Sequence, residues 1–377
     1  MNTRPSHIGI LGGGQLGRML IQSAIDLNLE ISVLDPDASA PCQALAHNFV
    51  QGSLTDYQAV LEFGRKCDLV TIEIENVNTK ALRKLESEGK PVFPQPQVIE
   101  LIQDKRLQKS FYQEQGIPTA EYVLMEHPQW SEQHAHMLPA FYKLGRAGYD
   151  GRGVHRIEGP EDFQGAPQGA GLLERQINFQ KEISVIVARN KNGEVVHFPT
   201  VELSFHPQQN LVEYLFAPAS ITTQQDQQAQ ELAERVIVDL DMIGLLAVEM
   251  FVDQDGSVMV NEIAPRPHNS GHHTIEANET SQYEQHLRAI LNLPLGSTRS
   301  YTAAAMVNLL GAAGYTGPAK YQGLEEVMAL PGAHIHLYGK KVTKPFRKMG
   351  HVTVTGAHID QLHERVNFIK SNLKILS

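Results

Sequence analysis

The sequence predicts a chain in three parts: an α/β front third, an α+β middle and a small, mostly β tail. Three observations carry this. A strand, a glycine-rich turn, a helix and a second strand follow one another between His7 and Leu34, the order of a parallel α/β unit. Hairpin-like pairs joined by good turn residues dominate the middle. After Tyr301 mainly short strand-like pieces remain.

In chain order, His7–Leu11 reads as an apolar strand, and Gly12-Gly13-Gly14-Gln15-Leu16-Gly17-Arg18 leads into a helical pattern through Leu27. Strands follow at Glu30–Leu34, ending at Asp35-Pro36, and at Leu69–Ile74, ending at Glu75-Asn76. The proline-rich stretch Pro91–Pro96 marks a boundary. Asp104–Gln115 is helical and is closed by Gly116-Ile117-Pro118. Pro139–Leu144 and Gly153–Glu158 flank a loop with three glycines and two arginines, Gly145–Arg152; Glu182–Arg189 and Glu194–Glu202 flank the turn Asn190–Gly193. Gln224–Leu240 and Ser281–Leu291 read as helices, and Pro294-Leu295-Gly296 ends this part. The tail strands are Ala303–Leu309, Ala333–Tyr338 and His351–Thr355.

The 377-residue length exceeds one ordinary core. Hydrophobic content of 42% and charged content of 20% suit a globular enzyme. A net charge of −10 disfavours nucleic acid and anionic membranes as partners. With only Cys42 and Cys67, no disulfide framework is indicated. Apolar runs such as Ile243–Val248 fall far short of the ~20 residues a membrane span needs. With no secretory segment before His7, a cytoplasmic location is expected.

The most specific chemistry lies in a predicted hairpin, Leu246–Ile263. If Asp255-Gly256 forms a two-residue turn, Glu249 stands directly opposite Glu262, with Cβ atoms roughly 5 Å apart. Facing carboxylates repel unless a cation lies between them or they share a proton. Arg266, His268, Asn269, Ser270, His272 and His273 follow, so oxygen ligands run into anion-binding groups; magnesium and a phosphate-bearing substrate fit that order. Gly12, Gly14 and Gly17 match G-x-G-x-x-G, whose N–H groups can hold a substrate phosphate or a dinucleotide, with Asp35 near a ribose-binding position; simple strand–helix packing also explains them. Lys143 and the loop Gly148–Gly153 read as a lid over nucleotide phosphates, against an ordinary hairpin loop. Lys340, Lys341, Lys344, Arg347 and Lys348 form either a solvated turn or a phosphate clamp. His336, His351, His358 and His363 lack metal spacing and read as structural or surface residues.

Together these residues resemble the ATP-grasp superfamily and, within it, the carboxyaminoimidazole ribonucleotide synthase family. The resemblance rests on Gly12–Met19, Gly148–Gly153, Asn261–His272 and Arg347–His351, in the family's order along nearly the whole chain. It implies a Rossmann-like N-terminal domain (1–101), an ATP-grasp domain (102–296, lid subdomain about 118–178) and a β-rich C-terminal domain (297–377). It further implies magnesium ATP, bicarbonate and aminoimidazole ribonucleotide as ligands, an ATP-dependent carboxylation in purine biosynthesis, and a homodimer. By motif, Lys105, Lys143 and Gly148, Tyr149, Asp150, Gly151, Arg152 and Gly153 would contact phosphates. Glu174, Arg175, Gln176, Ile177, Glu182, His206 and Asn261 would frame the nucleotide, and Glu249 with Glu262 would bind the metal. Tyr149, Asp150 and Arg152, with Arg266, His268, Asn269 and Ser270, would surround bicarbonate and the imidazole, with Asp150, Tyr149 or a water as base; Gln15, Lys341, Arg347 and Lys348 would hold the ribose phosphate. The chain departs from the family's Glu-Asn-x-His at Glu202–His206, and from its Arg-Pro-Gly-Arg over Lys340–Arg347. Three alternatives stand beside this reading: another ATP-grasp ligase or carboxylase sharing the core, an NAD-dependent oxidoreductase using the first glycine loop, and a catalytically silent nucleotide-binding regulator, against which the intact Glu249/Glu262 pair argues.

Overall fold

A computed structural model describes residues 5–146, 153–206 and 211–377. The front third is a four-stranded parallel sheet in the order Asn48–Gln51, Glu30–Asp35, His7–Leu11, Leu69–Ile72. Its inner strands are continuous apolar runs buried on both faces, as helix-covered parallel strands must be. Helices Gln15–Asp26, Tyr57–Arg65 and Thr79–Ser87 cover it. Asp56 and Asn78 cap the latter two by accepting N–H bonds from Ala59 and Ala81. The proline-rich boundary also begins a short helix, Pro96–Ile102, with proline at its first position.

The middle contains two antiparallel sheets. A small one orders Tyr122–Met125, Gly171–Arg175, Ala140–Leu144 and Val154–Ile157. The larger begins with Val258–Ala264, Gly244–Val252, Lys181–Arg189, Val201–Phe205 and Val212–Ala217. It then continues without a break into the tail strands Ala303–Leu310, Lys348–Gly356 and Ala333–Leu337, so backbone hydrogen bonds cross residue 296. The helix Thr223–Asp239 opens with a capping box between Thr222 and Gln225 and packs on this sheet.

Two features were not foreseen. The tail carries a 14-residue helix, Ile359–Asn372, ahead of a last short strand, Lys374–Leu376; Leu362, Val366 and Ile369 of the helix enter the tail core beside Leu373. The cores are also shared between regions: Tyr283 and Leu287 of helix Gln282–Ile290 pack with Met19 and Leu20 of the first helix and with Tyr338 of the tail. This shared core brings the first glycine loop, the exit of the carboxylate hairpin and the basic tail turn towards one another.

Candidate active site

Glu249 pairs directly with Glu262, but not through the expected two-residue turn. The Asp253 carbonyl accepts the Gly256 N–H at 3.0 Å, the Ser257 carbonyl accepts the Asp253 N–H at 2.9 Å, and Gly256 is left-handed at φ 85°. The loop therefore holds three residues, Gln254–Gly256, and alone would set Glu249 against Asn261. A β-bulge at Asn261 adds one residue and brings Glu262 across instead.

The two carboxylates are unlike. Glu249 is buried, and burial together with the Glu262 charge pushes its carboxyl well up. Glu262 has a side chain 51% exposed and lies 3.0 Å from the Lys105 ammonium, which holds it below the ordinary carboxylate range. Lys105, Lys109, Lys143, Glu174, Asn261 and Glu262 line one cavity. Glu174, expected among the residues that frame the nucleotide, is buried between two lysines: Lys143 meets Oε1, and Lys109 lies 2.6 Å from Oε2. Against the cost of burial, these cations pull Glu174 down to about 2. Each lysine has only a share of one carboxylate, so burial still draws Lys109 below the ordinary lysine range. Glu182 occupies the adjoining strand; burial and then the Glu262 charge push it up to about 8.

Beyond Ile263 the chain turns through Arg266, which pairs with Glu75 of the front third at 2.8 Å. The Ser270 hydroxyl meets Ser184 at 2.9 Å and His268 Nδ1 at 2.9 Å. Asn269 Nδ2 is buried and has no hydrogen-bond partner among the described residues. Burial, then the Arg266 and Lys348 charges, lower His268 to about 3, so its 3.5 Å approach to Glu249 is made by a neutral ring at neutral pH. A buried amide, Gln282, clamps this loop: its Oε1 accepts the His268 N–H at 2.8 Å and its Nε2 donates to the His268 carbonyl at 2.7 Å. Gly271 is needed there, since a Cβ would lie 2.5 Å from the Gln282 amide oxygen.

The tail closes the far end. Lys340 donates to Gln15 Oε1 at 2.9 Å and to the Lys348 carbonyl at 2.8 Å, joining the first glycine loop to the basic turn. Lys348 stands close enough that its charge bears on Glu249 and His268. Lys341 is exposed, and Arg347 donates to the Val342 carbonyl at 2.7 Å. Lys340 is thus the lysine beside Gln15.

The glycine loop itself is not an open phosphate or dinucleotide cradle. Gly14 and Gly17 N–H groups donate to Glu73 at 2.8 and 3.0 Å, and Gly13 N–H donates to Asp35 at 2.6 Å. The chain's own carboxylates take the places where a pyrophosphate and a ribose would bind, which removes the basis for the oxidoreductase alternative. Gln176 N–H donates to the Pro139 carbonyl at 2.9 Å while its Oε1 is buried without a hydrogen-bond partner among the described residues; Ile177 follows it. Arg175 pairs with Glu121 at 2.9 Å and also donates to the His136 carbonyl. His206 lines a different cavity, edge-on to Phe346 with ring centres 5.5 Å apart. The Gly153 carbonyl accepts the Leu144 N–H at 2.8 Å. Gly148, Tyr149, Asp150, Gly151 and Arg152 lie outside the described residues. In the sequence Lys109, Ser184 and Gln282 carry no assigned role, and Lys340 is only one member of the basic cluster; Lys109 leaves a signal of its own, four residues after Lys105 on one helix face.

This fold and this cavity define an ATP-grasp enzyme. The ATP-grasp domain model matches residues 110–283, the ribonucleotide synthetase preATP-grasp domain 6–103, and the phosphoribosylaminoimidazole carboxylase C-terminal domain 304–365. The chain belongs to the N5-carboxyaminoimidazole ribonucleotide synthase family. It is 38% identical to that synthase of Bacillus subtilis over 353 residues, covering 92% of this chain and 90% of the relative. It is 36% identical to the chloroplastic phosphoribosylaminoimidazole carboxylase of Vigna aconitifolia, covering 98% of this chain but only 66% of that protein. The crystal structure of the Thermotoga maritima synthetase superposes with a TM-score of 0.92 at 39% identity, covering 99% of both chains. The Aspergillus clavatus synthase, solved with ADP and 5-aminoimidazole ribonucleotide, gives 0.89 at 37% identity, covering 98% of both.

Proposed function

We infer that this chain carboxylates 5-aminoimidazole ribonucleotide with bicarbonate at the expense of ATP. The observation that carries this reading is the single strand Val258–Ala264: Glu262 faces Glu249 and Lys105 on it, and Arg266–Ser270 follows immediately. Nucleotide and acceptor chemistry are thereby set side by side, and the family membership names the acceptor.

Glu249 and Glu262 suit a hard divalent cation that also takes phosphate oxygens. Among the described residues no group of three or more His, Cys, Asp or Glu could hold a metal ion. Magnesium typically uses one or two carboxylates and completes its shell with substrate phosphate and water. When bound, magnesium would neutralise charge on the transferring phosphoryl group. Lys105 and Lys143 would exchange their carboxylate partners for phosphate oxygens.

In the reaction, a bicarbonate oxygen attacks the γ-phosphorus, the bond to the β,γ-bridging oxygen breaks, and ADP leaves with that electron pair. Carboxyphosphate then breaks at its C–O bond to carbon dioxide and phosphate, keeping the bicarbonate-derived oxygen on phosphorus. The substrate amine adds to the carbon dioxide and loses one proton, which we assign to Asp150. Arg266, Asn269 and Ser270 would orient bicarbonate and the imidazole, and Gln15, Lys340, Arg347 and Lys348 would hold the ribose phosphate. Catalysis is therefore positioning and charge neutralisation, with no covalent enzyme intermediate. Oxygen-18-labelled bicarbonate tests this route: the released phosphate should carry one label, and unlabelled phosphate would contradict it.

A further inference from the structure

Glu174 meets two cations, and these differ in what else holds them. Lys109 is 4% exposed; besides Glu174 Oε2 it reaches Thr119 Oγ1, which in turn donates to the Val260 carbonyl at 2.8 Å. Its ammonium also lies 5.8 and 5.9 Å from the ring centres of Tyr112 and Tyr122, within the range of a cation–π contact. These contacts fix Lys109 in place. Lys143 lines the same cavity as Lys109 and Glu262, but its side chain is 20% exposed and it sits near the end of the strand Ala140–Leu144.

We propose that Lys109 is a resident counterion that stays on Glu174 while Lys143 leaves it for nucleotide phosphate. The inference rests on the nucleotide role given to Lys143 above. A buried carboxylate stripped of its only cation is strongly disfavoured, so with Lys143 alone Glu174 would compete with phosphate for that lysine. With Lys109 in place, the departure of Lys143 leaves a neutral buried pair. Lys109 thus acts on nucleotide affinity through Glu174 and Lys143 without touching the nucleotide; it is a positioning residue.

Calorimetric titration of the full chain with magnesium ADP, without bicarbonate or ribonucleotide, tests this. Lys109→Met should weaken ADP by on the order of tenfold or more, because Lys143 is then retained by an otherwise unpaired carboxylate. Lys109→Arg keeps the charge and should bind within about threefold of the unaltered protein. The variant Lys109→Met/Glu174→Gln should bind as Glu174→Gln alone does, since a neutral side chain at 174 holds neither lysine. Unchanged ADP affinity in folded Lys109→Met overturns the proposal. Should Lys109→Met not fold, the other comparison decides: a further loss in the double variant relative to Glu174→Gln alone overturns it. Absence of magnesium ADP binding by the unaltered chain would sink the nucleotide reading itself, and this inference with it.

Discussion

Two sets of acids serve opposite ends in this molecule. In the front third, Glu73 is tied by the backbone N–H groups of Gly14 and Gly17, and Asp35 by that of Gly13. In the middle, Glu249, Glu262 and Glu174 are met by side chains: His268, Lys105, and the pair Lys109 and Lys143. Backbone partners cannot leave without unfolding the loop, whereas an ammonium on a flexible stem can move to a phosphate. The kind of partner separates the acids of the architecture from those of the chemistry. An acid held by the backbone closes a site, and an acid held by exchangeable cations is available to one.

Substitutions should separate the two sets. Glu262→Gln is expected to lower turnover by on the order of 10²–10³ or more, because a charge-stabilising group is lost at the transferring phosphate. Its melting temperature should barely move, since the side chain is half exposed and its repulsion of Glu249 is relieved. Turnover near that of the unaltered enzyme would break the comparison. Glu73→Ala should behave in the opposite sense, costing about 2–4 kcal/mol in denaturant unfolding because two loop N–H groups lose their acceptor. Gln282→Leu should lower kcat/KM for the ribonucleotide about tenfold while leaving KM for ATP near its original value, because the clamp acts on His268 and not on the lysines.

The smallest effect concerns acid stability. Glu174 is lowered to about 2 in the fold, so its contribution is present above the ordinary glutamate value and is lost as pH falls from 4.5 towards 2. Glu174→Gln should flatten that part of the stability–pH curve, measured by denaturant unfolding between pH 5 and 2. An unchanged acid limb would mean that the two lysines do not hold this carboxylate as the geometry requires.

Local signals were legible in the sequence wherever neighbours along the chain decide the outcome. The strand periodicities and the Asn190–Gly193 turn lie within a few residues of what they control. The facing of Glu249 and Glu262 was legible too, although its cause was not: a three-residue loop and a bulge at Asn261 together give the pairing that a two-residue turn would have given. The tail helix carries an apolar stripe, Leu362, Val366, Ile369 and Leu373, that the more numerous strand-like pieces of the tail outweigh in the sequence. Contacts made across long separations left no trace. Glu73 fills a loop 59 residues before it, Gln282 grips a residue 14 before it, and Lys340 reaches Gln15 across 325 residues. The stack of His272, His351 and His336 is of the same kind; ring centres 4.6 and 4.4 Å apart join the hairpin exit to the tail sheet.

The central claim is that the hairpin acids serve an ATP-driven transfer whose acceptor is the ribonucleotide. ADP release measured with ATP, magnesium and bicarbonate, with and without 5-aminoimidazole ribonucleotide, addresses it most directly. The account predicts a marked acceleration when the ribonucleotide is added, and the same rate with and without it would contradict the account.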